Sequence, residues 1–353
     1  MLRKFLKFLP MVMLGAFALM AATPPASADD TLIVALGAKT PALMNALNLI
    51  AQGAGFYQAE HLTVTKLPVN GALEAAQACA GGKADICPIG IEPLFTNYND
   101  GIRLKLFLAR ASKFAYVIAV PQDSPIKSLA DFKGKQIGVH VITAAASGVF
   151  TTQSALSVVG LRPSDYTFVP IGYENDAADA LASGKVAGAA FPYYEFIPMM
   201  VSGRKFRFFY HPAFQDVANV GYAASAEEMA TNSDALRHFS RAIVKAALLV
   251  RINPAVSARL LLVADGTPFT DVDLQRKTAE LTAWQSDLPA ADPANKRIGA
   301  LSLEGLQRYS QLLADAGVTK TVIASSDVVS DDYVAFANDF DHDAFVKLAK
   351  SMH

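Results

Sequence analysis

The chain predicts an α/β protein built as two units, each a mostly parallel sheet flanked by helices. Three observations carry this expectation. A strand–helix–strand–helix–strand pattern fills the segment from Leu32 to Ile89. The same plan recurs from Gln136 to Phe191, as architecture and not as a sequence repeat. Without a removable leader the chain has about 325 residues, which suits two domains rather than one.

Leu32–Leu36 is a β-rich apolar run. Leu43–Gly53 has helical spacing and ends on Gly53 and Gly55. Phe56-Tyr57 followed by Leu62–Lys66 predicts a second strand, Leu73–Ala80 a helix and Ala84–Ile89 a third strand. Strands alternating with helices imply parallel pairing, because the return has to cross over the sheet. Leu104–Ala109 and Ala115–Val120 add two more strands. Ser128 caps a short helix over Leu129–Phe132, with Asp131 at the third helical position, as in a capping box. Gly134 ends that turn, since glycine takes a positive φ at little cost. Strands follow at Gln136–Val141, Thr167–Pro170 and Val186–Phe191, with helices at Ser147–Val159 and Asp176–Ser183 between them. Beyond about Gly221 the chain turns helical: Glu227–Met229, Asp234–Arg251, Ala255–Leu262, Leu274–Trp284 and Leu303–Ala316.

Residues 1–28 read as a signal peptide. Arg3, Lys4 and Lys7 precede an apolar run from Leu9 to Ala22, and Ala26-Ser27-Ala28 is a small-x-small cleavage site. The run is short of the roughly 20 residues a membrane span needs. No cysteine follows it to take a lipid, so the expected product is soluble, exported, periplasmic and not a lipoprotein. Three of the 31 basic residues leave with the leader, so 28 face 32 acidic ones, a net of about −4. That balance, with no basic stripe, excludes nucleic acid as the expected partner.

Cys79 and Cys87 are the two cysteines. In an oxidising compartment they form either a disulfide or a pair of buried free thiols. A metal site is not expected there, because no histidine or third cysteine is near.

Several phrases resemble one family. Ser124-Pro-Ile-Lys-Ser-Leu-Ala-Asp-Phe-Lys-Gly-Lys-Gln-Ile-Gly-Val139 is similar to the entry of the second lobe in periplasmic solute-binding proteins. Ala51–Val64, with Gly55-Phe56-Tyr57 and Glu60, resembles a phrase of the binding proteins for sulfonates, nitrate, taurine and the thiamine pyrimidine precursor. Gly82-Lys83-Ala84-Asp85-Ile86, Leu181–Val186 with Phe191-Pro192-Tyr193, Tyr222–Ser225 and Arg251–Pro254 follow in the family's order. His61 stands where the family has glycine, and Ala187 where it has aspartate. The resemblance covers nearly all of the chain after the leader. It implies the two-lobed type II periplasmic binding protein fold, with two crossing strands and a monomeric state. Lobe I is then 30–118 plus 220–353, and lobe II is 119–219. It implies no cofactor, no catalysis, a small-molecule ligand in the cleft, and an ABC permease with its ATPase as partners. Enzymes on the same fold, a thiamine-pyrimidine synthase and a chorismate-processing dehydratase, are the alternative. The synthase's cysteine-rich run is absent, and the leader argues against both.

In a parallel sheet, ligands sit at the carboxyl ends of the strands. That rule, and the resemblance, select four loops here: 37–41, 90–93, 140–147 and 191–195. Thr143 and Ser147 are polar candidates at a helix N-terminus, either binding an anionic or carbonyl group or merely capping. Phe191 and Tyr193 offer an aromatic wall, or simple core. Thr40 and Glu92 are first-lobe candidates, with Ser112 and Tyr173 as further ones. A buried Glu92 favours ligands bearing N–H groups, and the alternative is a solvated loop carboxylate. These loops hold Lys39 and no arginine, which disfavours a small inorganic anion. The expected ligand is thus a small, flat, nitrogen- or sulfur-containing organic nutrient. His140 reads as packing, and Asp339, Asp341, His342 and Asp343 as a solvated face rather than a metal site.

Overall fold

A computed structural model describes residues 30–37, 43–70, 72–111, 113–142, 146–172, 174–214, 217–218, 220–266, 268–289 and 297–353. The leader lies outside them. No helix among them is long and apolar enough to cross a membrane.

Ten strands form two sheets of one design. Strands β1 (Asp30–Gly37), β2 (Leu62–Val69), β3 (Cys87–Gly90) and β4 (Leu104–Ala109) belong to the first. Strands β5 (Tyr116–Pro121), β6 (Gln136–Val139), β7 (Thr167–Pro170), β8 (Gly188–Pro192) and β9 (Phe206–Tyr210) belong to the second. Strand β10 (Val220–Ser225) returns to the first. There, β1 pairs with β2 in parallel, a parallel bridge from Val34 to Ile86 links β1 to the start of β3, and β10 lies antiparallel between β3 and β4. The second sheet runs β7-β6-β8-β5-β9, with β6 parallel to its neighbours and β5 antiparallel to β8 and β9. Both sheets therefore read parallel, parallel, antiparallel, antiparallel. The antiparallel members flank the two places where the chain passes between the sheets, from β4 to β5 and from β9 to β10, which periodicity alone does not reveal. Strand β5 pairs within the second sheet from Tyr116 onward.

The family phrases do structural work. Asp85 accepts a hydrogen bond from the Ile33 amide at 2.6 Å, locking the turn before β3 onto β1. Phe56 and Tyr57 are buried, and Tyr57 stacks on Phe239 at 5.7 Å. They stand in a short helix, Phe56–Ala59, and not in a strand, because Gly55 takes a φ of 72° and turns the chain first. Glu60 is buried and binds Lys245 at 2.6 Å, His238 at 2.8 Å and Arg241 at 3.5 Å. His61 has a φ of 55°, the only non-glycine so placed among the described residues, which accounts for the glycine expected there. Ser128 and Asp131 form the expected capping box, and Gly134 has a φ of 73°.

The two bodies share core. Phe150, from the Ser147–Ser157 helix, packs edge-on against Tyr309 of the Leu303–Asp315 helix at 5.8 Å, inside the first body's core. Tyr194 and Ile197 join the other half of that core, beside Leu281, Trp284 and Leu288.

Candidate functional site

The registers orient the site. Gly90 pairs with Val220, and Ala109 with Gly221, so β3 and β4 end where β10 begins. In the second sheet Tyr116 pairs with Pro192, and Val117 with Tyr210, so β8 and β9 end where β5 begins. The crossings 110–115 and 211–219 join these two edges. The strand ends of the two bodies therefore face each other, with the residues that follow β3, β4, β6 and β8 between them.

Glu92 is the second residue of the Ile91–Asn99 helix and is fully buried. Its carboxylate accepts from the Ser147 hydroxyl at 2.7 Å and from the Tyr309 phenol at 2.5 Å. Ser147 opens a helix of the second body, so this hydrogen bond joins the bodies. A Cβ on Gly90 would lie 3.4 Å from both Glu92 Oε2 and Ser147 Oγ, which keeps that strand end bare. Burial, then the Glu92 charge, pushes the Tyr309 phenol well above its usual range. Burial does the same to Tyr116, against a hydrogen bond from Ser147. Glu92 is thus no solvated loop carboxylate, and it is engaged by hydroxyls of both bodies.

His140 follows β6 and stacks on Phe191, with ring centroids 4.1 Å apart and planes at 7°. Its Nε2 lies 2.8 Å from Glu195 Oε2, and the two side chains are 14% and 19% exposed. Of the two readings of Phe191, cleft wall or core, the structure has the core: it is wholly buried in the second body and stacked on His140. Strand β8 is central and buried on both faces, so alternation gave no signal for which side Phe191 takes. Tyr193 is half-buried, edge-on to Phe208 at 5.1 Å, and its amide donates to Ala115 O at 2.7 Å.

Arg110 lies outside the four loops, which hold no arginine, yet stands at the same strand-end edge. It follows β4 directly, is 7% exposed, and donates from Nη1 to Met44 O at 2.8 Å. The signal was available, since the strand-end rule applies to Leu104–Ala109 as it does to the other strands. Asp287, Tyr309 and Glu195 carry no such signal, because their placement depends on packing between distant segments.

Thr40, Ser112, Thr143 and Tyr173 lie outside the described residues. Cys79 and Cys87 are buried free thiols, and Cys87 donates to Ala223 O at 3.6 Å. Burial, then a hydrogen bond with Cys87, pushes the Cys79 thiol up. No cluster of metal-ligating side chains occurs among the described residues. Asp341 caps the His342–Ser351 helix instead, accepting from the Ala344 amide at 2.9 Å.

Two α/β bodies with facing strand ends make up the periplasmic binding protein fold, which solved structures share. The alkanesulfonate-binding protein SsuA from Xanthomonas axonopodis pv. citri, bound to MOPS, is similar at 18% identity over 86% of this chain and 99% of that one, with a TM-score of 0.62. The periplasmic aliphatic sulphonate binding protein SsuA from Escherichia coli gives 16% identity over 85% and 92%, with a TM-score of 0.64. The desulfurization enzyme DszB, in complex with biphenyl-2-sulfinic acid, gives 16% over 88% and 99%, with a TM-score of 0.56. At such identities the likeness establishes the fold alone. The model of the NMT1/THI5-like family matches residues 45–257, more than half of the chain, and the chain belongs to that family. No curated protein sequence matches it.

Proposed function

We propose that the protein is the solute-binding component of an ABC-type importer in the periplasm. It takes a small organic ligand, containing nitrogen or sulfur, between its two lobes, and hands it to a membrane permease driven by an ATPase. The observation that carries this reading is the pair of facing strand-end edges, tied by Ser147 and Glu92, between which the chain crosses twice. Such a joint suits hinge closure around a ligand. The sulfonate-binding neighbours support the same reading.

The test is a thermal-shift screen of the chain from Asp29, after unfolding and refolding to strip any resident molecule. The panel holds sulfonates, taurine, nitrate, pyrimidines, flavins, aromatic acids and amino acids. A ligand at 1,000 times its Kd adds about 4 kcal/mol of stability. The expected result is a clear shift, with the ligand recovered at unchanged mass. Conversion of the ligand would sink the receptor reading in favour of an enzyme. Absence of any shift across the panel counts against both the receptor reading and its ligand class.

A further inference from the structure

Arg110 is a buried cation in an unusual setting. It lies at the end of the first body that faces the second. Its amide donates to Val220 O at 3.0 Å and its guanidinium to Met44 O at 2.8 Å. Among the described residues, no carboxylate is within ion-pairing distance of it. Taking a charge out of water without a counter-ion is costly, so a buried cation normally has one. Beside it is Tyr194, from the turn after β8 in the second body, which is 7% exposed and packed in the first body's core. Burial pushes its phenol up, and the neighbouring Arg110, which also bonds it, acts against that.

A neighbouring carboxylate is itself incomplete. Asp287, 2% exposed, follows the Asp271–Trp284 helix, and its Oδ1 has no hydrogen-bond partner among the described residues. Lys113 and Arg110 both bear on its charge without closing an ion pair. The Lys113 ammonium stands 5.9 Å from the ring centres of Tyr193 and Tyr210. Lys113, Arg110, Asp287 and Glu195 therefore stand around the end of β8, and Glu195 has His140 as its own partner at 2.8 Å.

We infer that Arg110 is the ligand's anchor: it holds the acid group of a small organic monoanion in the cleft, with the Tyr194 phenol as second donor. This rests on the receptor reading and narrows its ligand class. A planar guanidinium suits a carboxylate or sulfonate, since it offers two parallel N–H groups to two oxygens.

The test uses acid and amide partners of one skeleton: benzoate with benzamide, nicotinate with nicotinamide, and methanesulfonate with methanesulfonamide. Binding is read by thermal shift and by fluorescence of Trp284, the only tryptophan in the chain and three residues from Asp287. At least one acid is expected to bind about 30-fold more tightly than its amide, since losing a desolvated charge pair has effects of that size or larger. Arg110→Gln loses that preference, with the acid's affinity falling toward the amide's. Tyr194→Phe loses about 10-fold for the acid alone. Unliganded Arg110→Gln melts lower, because its hydrogen bond to Met44 O is lost, so affinities are compared at a temperature where both proteins are folded. A preference for amides, or acid binding that Arg110→Gln leaves intact, overturns the anchor while the receptor reading stands. Absence of binding by every probe here and in the wider screen overturns both.

Discussion

Ser147 Oγ donates to Glu92 Oε2 at 2.7 Å, and this one hydrogen bond spans the two bodies of the molecule. The acceptor is fully buried and its other oxygen takes the Tyr309 hydroxyl. Ser147→Ala removes one of these donors from a buried carboxylate, which should cost about 1–3 kcal/mol. It should also let the bodies part, raising the radius of gyration in X-ray scattering. Unchanged values of both quantities would refute a latch at this position.

Gly148 sets how closely that latch approaches. A Cβ there would lie 2.8 Å from Ala190 O, a backbone atom of β8 that cannot move aside. Gly148→Ala should destabilise the protein by about 1–3 kcal/mol in urea, and should weaken ligand binding more than the same loss of stability introduced far from the cleft.

Two buried groups oppose each other in acid. Burial holds the His211 imidazole down to about 4, so from pH 6.5 to 4 the unfolded chain takes a proton that the folded one refuses. Stability then falls as pH drops, by no more than about 3 kcal/mol for this group. Burial pushes Asp287 up to about 6, so between its usual 3.8 and 6 the folded protein keeps a proton that the unfolded chain has released. That group lowers stability as pH rises, by a similar amount. Their slopes cancel in part. Asp287→Asn should therefore make acid unfolding between pH 6 and 4 steeper, and His211→Gln should reverse the slope. Parallel stability–pH curves for the three proteins would contradict this.

His61 occupies a backbone conformation that costs a side-chain-bearing residue roughly 1 kcal/mol or more. Glycine gives part of that back through its freer unfolded chain. His61→Gly should raise stability by about 0.5–1 kcal/mol, read as a higher thermal midpoint.

Much of the architecture was legible because its signals are local. The Ser128 and Asp131 capping box lies within four residues, and the apolar runs at Leu32, Leu104 and Gln136 each make a strand. Glu92 and Ser147 were found by the strand-end rule, each on its own loop. Their contact was not legible, because residues 55 apart in sequence meet only through the placement of one body on the other. Phe191 stays open in the sequence for a different reason: both faces of β8 are covered, so an aromatic there has no solvent side to declare. Arg110 carries a weaker signal, because β4 leads into a crossing and not into a helix.

Phe150, Tyr194 and Ile197 belong to the second body by sequence and to the first body's core by packing. In calorimetric language, this moves apolar burial from the binding step to the folding step. Parting the bodies exposes those side chains, so an open form carries a raised heat capacity. A ligand that enters the joined form buries little further apolar surface of the protein, and its binding heat should change only weakly with temperature. Weakening the joint, as in Ser147→Ala, should return that temperature dependence to the binding step.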